Sequence, residues 1–311
     1  MQRQDSAAPA APSGDGLFAA LRAWVMASRP HTLTIGINPV LVGCALAWRE
    51  TGHINVAVML MSMFGALLLQ TGTNLDNDVS DFERGTDRAG RLGLPRATAL
   101  GLLTPQQVRT ASRGCFVLAT VIGLMLAWRG GWPIFVAGVA SAAAAMSYSG
   151  GPRPISYTPF GDFVVWLFFG LVAVTGTYYL QTFALDPSVF VAAAMVGMPA
   201  TAVLVVNNYR DLDPDRAVGK RTLAVCLGPS FSRGEYAVLV LAPFALLPLL
   251  AAQARLGAAQ AIPLLALPIA IGLVRRFWRD APGPTFNALL AATARFQVLL
   301  SLLVCVAILL G

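Results

Sequence analysis

Two segments of this chain carry carboxylates and amides at spacings that gather them on one side. The first is NLDNDVSDFERGTD, residues 74–87, and the second is NNYRDLDPDRAVGKRT, residues 207–222. In the first, Asp78 follows Asn74 by four residues and Asp81 follows by three more; in the second, Asp211 and Asp215 follow Asn207 at steps of four. Such steps put side chains on one face of a continuing helix. Each segment is therefore expected to project an Asn and two Asp side chains together. The shared Asn-x3-Asp pattern suggests a weak internal repeat, with a site between its halves.

Hard oxygen donors without His or Cys suit Mg2+. That ion usually takes one or two carboxylates and completes its shell with water and substrate phosphate. Two facing clusters imply more than one Mg2+, bridged by a diphosphate. The interspersed Arg84, Arg210, Lys220 and Arg221 fit as partners for phosphate oxygens. Only two histidines exist, His31 and His53, and the four cysteines (Cys44, Cys115, Cys226, Cys305) are far apart with no CxxC. The cysteines read as small apolar residues rather than zinc ligands or a disulfide frame, and a His-rich metal site is unavailable. Two more segments belong to the same face. YSGGPRPISYTPFGD, residues 148–162, is a fixed, irregular connection carrying Tyr148 and Arg153, and SRPHT, residues 28–32, brings Arg29 to the mouth of the first span.

The elements that must position these residues follow from composition. Of 311 residues, 56% are apolar and 12% charged, against about 45–50% and about 25% in a soluble domain. So little charge cannot cover a soluble surface, which leaves an all-α polytopic membrane protein. Apolar runs lie near 33–48, 54–74, 115–131, 133–149, 160–181, 188–208, 236–254, 257–274 and 287–310. Each is near the length of one membrane crossing, so nine transmembrane helices are expected. Residues 1–15, rich in Ala, Pro, Ser and Gly, read as a disordered leader, and 16–30 as an interfacial helix ending at Pro30. Residues 16–311 then form a single membrane-embedded domain.

With a cytoplasmic N-terminus, eighteen of the 22 Lys and Arg fall on inside segments and three outside, while Arg295 lies in the last span. This asymmetry sets the orientation and explains the net charge of +7 without a nucleic-acid partner. Both acidic segments then lie on the cytoplasmic side. A transporter or Mg2+ channel is the rival from another class, favoured by the repeat. Against it, the acids sit at one face and the first eight spans hold hardly any ionisable groups.

NDxxD followed by GTD, YxGGPxP, and NNxRDxxxDxxxGKxTL together resemble the UbiA-type membrane prenyltransferases, over residues 28–310. Within that family the second motif, with its GKRTLAV continuation, is most similar to the branch that prenylates 1,4-dihydroxy-2-naphthoate in menaquinone synthesis. The resemblance implies nine helices around a central cavity in a bacterial cytoplasmic (inner) membrane, open to lipid, with both Asp motifs at its cytoplasmic mouth. It implies that Asn74, Asp78, Asp81, Asp211 and Asp215 hold Mg2+ and the diphosphate. Asn77, Asp87 and Asn207 are secondary candidates, and the roles of Asp81 and Asp87 stay open. Lys220, with Arg210 and Arg84 behind it, would bind diphosphate. The substrates implied are a polyprenyl diphosphate and dihydroxynaphthoate, the latter prenylated and decarboxylated to demethylmenaquinol. Another aromatic acceptor such as 4-hydroxybenzoate, homogentisate or a chlorophyllide is the alternative. Tyr148, Tyr157, Phe160 and Trp166 are aromatic candidates for the cavity wall.

Overall fold

A computed structural model describes residues 16–85, 92–93 and 95–311. The 1–15 leader and Asp87 lie outside the described residues. Every regular element among those described is helical, as expected where no water is present to satisfy an open strand edge.

Helix α1 (Gly16–Ser28) turns its small residues Ala23 and Ala27 onto Leu75 and Val79. It leaves Phe18 and Leu21 exposed, the former at 69%. Arg29, at φ 51, breaks the chain before α2 (Pro30–Thr51), which opens on Pro30. Proline is well placed there, because the first helical N–H has no intrahelical partner. Helix α3 (Val56–Glu83) is capped by Asn55, whose side chain accepts from Val58 N at 3.1 Å.

Helix α4 (Pro105–Ser149) has 45 residues, with non-helical Gly131 at φ 71. Straight, it would measure about 67 Å, yet both of its ends reach the C-terminal end of α3. Arg109 pairs with Glu83, and Ser149 O accepts from Arg84 Nη1 at 2.7 Å. The element therefore folds back at Gly131 into two antiparallel legs, with Trp128 and Trp132 exposed beside the turn. The sequence reading of two runs, 115–131 and 133–149, matches these legs.

Helices α5 (Gly161–Trp166) and α6 (Ala173–Thr182) form one apolar segment through a π-helical stretch at Leu167–Val172. Helix α7 (Pro187–Arg210) is the most buried of the long helices and packs on α2, α9 and α11. Gly170 and Gly197 let it approach the π turn, for a Cβ on Gly170 would lie 2.7 Å from Ala193 O. Small residues at such contacts allow backbones to close in the absence of a hydrophobic driving force between helices.

A short α8 (Leu212–Ala217) leads to α9 (Leu223–Ala254). Helix α9 starts well before the apolar run at 236 and is broken at Gly228, φ 80, ahead of Pro229. A 3-10 stretch (Gly257–Ala266), α10 (Leu267–Arg279) and α11 (Phe286–Leu310) complete the chain. Arg49 joins the far ends of two of these helices, donating to Ala254 O at 2.7 Å, Arg255 O at 2.8 Å and Ile308 O at 3.1 Å. A cation at helix C-termini satisfies orphan carbonyls and complements the helix dipole. Among the described residues, eight helices are long and apolar enough to cross a membrane, the folded α4 counted as one.

Candidate active site

A cavity of ≈ 860 Å³ lies among α2–α8. On α3 its wall runs from Ser62 through Gly65, Leu69 and Thr73 to Asn77 and Asp81, a distance of about 28 Å at helical rise. The stretch nearer Ser62 is apolar, with Leu126, Ile134, Phe135, Phe168 and Phe169 contributed by α4 and the π turn. The other end gathers Arg29, Asn74, Asn77, Asp81, Arg96, Tyr148, Asn207, Arg210, Asp211, Asp215 and Lys220. Residues far apart in sequence thus meet at one polar head of an apolar tube.

The first motif divides on α3. Asn74 donates from Nδ2 to Ser28 O at 2.8 Å and Thr32 Oγ1 at 2.9 Å. With both amide protons used, it offers the cavity its carbonyl oxygen. Asp81 lines the cavity in an ion pair with Arg96, both side chains buried. Arg96 also donates to Asn77 O at 2.6 Å. Asp78 points elsewhere. Its carboxylate accepts from the Thr98 hydroxyl and from the N–H groups of Ala97 and Thr98, both at 3.2 Å. At about 100° per residue Asp78 lies only about 40° from Asn74, at the edge of the arc shared by Asn77, Asn74 and Asp81; what turns it from the cavity is the segment before α4, whose Thr98 and Ala97 take its carboxylate. Asp78 thereby anchors the segment before α4, whose Ala97 and Leu103 pack on Leu75, Val79 and Val108.

The second motif does not stay on one helix, contrary to the expectation from spacing. Helix α7 ends at Arg210, Asp211 takes φ −95 and ψ 14, and α8 begins at Leu212. A backbone bond from Asp215 N to Asp211 O at 2.8 Å keeps both carboxylates on one turn. Arg210, 3% exposed, donates to Asp211 Oδ1 at 2.9 Å, Asn207 Oδ1 at 2.8 Å and Asn287 Oδ1 at 2.8 Å. Below it, Phe277 stacks on Tyr236 at 4.2 Å and touches Tyr209 and Phe286, bracing the end of α7. Gly219, at φ 77, then turns the chain back, and Lys220 Nζ reaches Asp215 Oδ1 at 3.3 Å. Burial pushes the Asp215 carboxyl up to about 6; Lys220 opposes the rise and Asp211 adds to it.

Other sequence candidates lie apart. Arg84 donates to Ser149 O and Gly151 O and covers the Tyr157 ring, outside the cavity wall. Arg153 is exposed and also outside it. Of the aromatics expected in the wall, Tyr148 is there, while Tyr157, Phe160 and Trp166 are not. Trp166 lies against Gly197 of α7, and Phe168 and Phe169 of the π turn face the cavity instead. The sequence reading missed Arg96 and Asn287. Asn287 accepts from Arg210 and donates to Leu92 O at 2.8 Å, tying the second motif to the segment that Asp78 anchors. Neither residue stands in a local motif; only the fold brings them to the site.

The donor set fits Mg2+. Among the described residues, carboxylate and amide oxygens line the polar head with no His or Cys, which is the hard-cation pattern. Among the described residues, no three His, Cys, Asp or Glu side chains converge into a ready-made metal cage. That suits an ion bound through one or two carboxylates and completed by substrate phosphate and water.

Fold and site together define an all-helical membrane protein whose internal apolar cavity is headed by carboxylates, amides and cations. Residues 37–293 match the UbiA prenyltransferase family, and the chain belongs to it. It is 34% identical over 288 residues to 1,4-dihydroxy-2-naphthoate octaprenyltransferase of Escherichia coli K12, covering 91% of this chain and 93% of that one. It is also 34% identical over 282 residues to the octaprenyltransferase of the same name from Mycobacterium leprae, covering 90% and 94%. The fold is shared with a UbiA homolog from Archaeoglobus fulgidus bound to GPP and Mg2+, at TM-score 0.65, 13% identity, and coverage of 92% and 99%.

Proposed function

We propose that this chain transfers a polyprenyl group from a polyprenyl diphosphate to 1,4-dihydroxy-2-naphthoate, with Mg2+ as cofactor and loss of CO2, giving demethylmenaquinol. The observation that carries the reading is the convergence of both acidic motifs and Lys220 on the polar head of one apolar cavity. The names of the bacterial relatives support the acceptor.

In this reading Asp81 with the Asn74 amide oxygen on one side, and Asp211 and Asp215 with the Asn207 amide oxygen on the other, would hold separate Mg2+ ions, which would supply charge neutralisation to the departing diphosphate. Lys220 and Arg29 bind diphosphate oxygens. Asp78 and Arg210 act by position, the one anchoring the segment before α4 and the other orienting Asn207 and Asp211. The allylic C–O bond breaks with its electron pair leaving on the diphosphate. The apolar wall keeps water from the cationic carbon. The carboxylated ring carbon of the acceptor forms the new C–C bond, and the carboxylate leaves as CO2, returning its electron pair to the ring.

The protein would sit in a bacterial cytoplasmic membrane with this head on the cytoplasmic side. The two legs of α4 raise the eight long apolar helices to nine crossings, and the excess of Arg and Lys on the site side supports a cytoplasmic N-terminus. The test is an assay of membranes with labelled polyprenyl diphosphate and Mg2+, offering carboxyl-labelled dihydroxynaphthoate or 4-hydroxybenzoate. Labelled CO2 and a prenylated naphthol are expected from the first alone. Turnover of 4-hydroxybenzoate only would overturn the acceptor.

A further inference from the structure

We propose that Tyr157 is the positioning residue for Lys220, holding its ammonium at the diphosphate site through the face of its ring; this rests on the role given to Lys220 above. Tyr157 ends the 3-10 turn Ile155–Tyr157 and stands outside the cavity wall. Cations from both motif regions converge on its ring, Arg84 at 5.2 Å and Lys220 at 5.0 Å from the centroid. Arg84 is fixed there by Ser149 O at 2.7 Å and Gly151 O at 2.9 Å. Tyr157 O accepts from Arg221 N at 3.0 Å, so backbone and ring of the same residue grip the chain at 220–221.

Lys220 is a flexible four-carbon stem whose ordering opposes binding. Two contacts limit it here, Asp215 at 3.3 Å and the ring. Asp215 is also a proposed metal ligand, and a carboxylate drawn to a metal cannot keep the same hold on Lys220. The ring is the contact that persists, and it holds the ammonium without an anionic partner that would compete with phosphate oxygens. Preorganisation of this kind lowers the cost of binding without adding a contact to the ligand. Among the described residues the Tyr157 hydroxyl is buried and has no hydrogen-bond partner, so the aromatic face, and not the hydroxyl, is assigned the role.

The test is steady-state kinetics on four variants: Tyr157→Phe, Tyr157→Leu, Lys220→Met and Tyr157→Leu/Lys220→Met. A cation–π contact at a part-buried site corresponds to roughly threefold to thirtyfold in binding. Tyr157→Leu should raise the donor KM by about that factor and leave the acceptor KM in place. Tyr157→Phe should retain the donor KM. In the Lys220→Met background, Tyr157→Leu should add no further donor penalty. If Tyr157→Leu fails to insert, Tyr157→Met replaces it in both backgrounds. Additive losses in the double variant, a Phe variant as impaired as Leu, or a loss confined to the acceptor would each overturn the proposal while leaving Lys220 in the site. Unchanged donor kinetics in Lys220→Met would instead remove Lys220 from the site, and Tyr157's role with it.

Discussion

Arg96 and Asp81 form a buried ion pair in the cavity wall, with the guanidinium also donating to Asn77 O. The pair closes the chain between α3 and α4 back onto the first acidic motif. Removing one member of a buried pair typically costs about 3–5 kcal/mol, because the other charge is left unpaired. Arg96→Met should therefore lower the melting temperature of the detergent-solubilised protein and abolish turnover. Arg96→Met/Asp81→Leu should recover most of the stability and none of the activity. Recovery of activity in the double variant would show that Asp81 has only a structural role.

Asp78 and Asp211 stand at equivalent steps of their motifs but meet different surroundings. Asp211→Asn should raise the Mg2+ concentration needed for half-maximal rate and depress kcat. Asp78→Asn weakens the hold on Ala97 and Thr98, so it should lower thermal stability while the Mg2+ dependence of the remaining activity stays unchanged. A Mg2+ titration of both variants separates them. A shift in the Asp78 variant equal to that of Asp211 would return Asp78 to the metal site.

Lys220→Met should reduce donor-side kcat/KM by about tenfold to a hundredfold. A charged hydrogen bond is worth about 1.5–3 kcal/mol, and about 1.4 kcal/mol corresponds to each factor of ten. The apparent affinity for the aromatic acceptor should change little. Lys220→Arg, which keeps the charge on a planar and bulkier head, should recover part of the loss.

The fold-back of α4 makes a two-sided topology test possible. In a cysteine-free background, Arg153→Cys near the site should react with an impermeant thiol reagent only after sealed cells are opened. Trp132→Cys, at the Gly131 turn, should react in intact cells. Labelling of both from one side would contradict the nine crossings.

Much of this protein is legible in one dimension. Composition alone requires a membrane fold, because 12% charge cannot solvate a chain of this length. Apolar runs separated by turns mark the legs, including the split of α4, since Gly130–Gly131 interrupts a hydrophobic period visible in sequence. The acidic motifs are legible because metal and phosphate chemistry demands particular residue types close together. Helical periodicity gives the general face on which Asn74, Asp78 and Asp81 lie.

Periodicity does not say where the partners stand around that face. That decision belongs to the segment before α4, whose Thr98 captures Asp78 and whose Arg96 meets Asp81. The same holds for Asn287, which reaches Arg210 from α11, and for Phe168 and Phe169, which a π turn swings into the wall in place of Trp166. Sequence spacing encodes geometry only while a helix continues. At Asp211 the helix stops, and beyond such breaks the relation between residues is set by which elements pack together, a long-range property that local residue types do not carry.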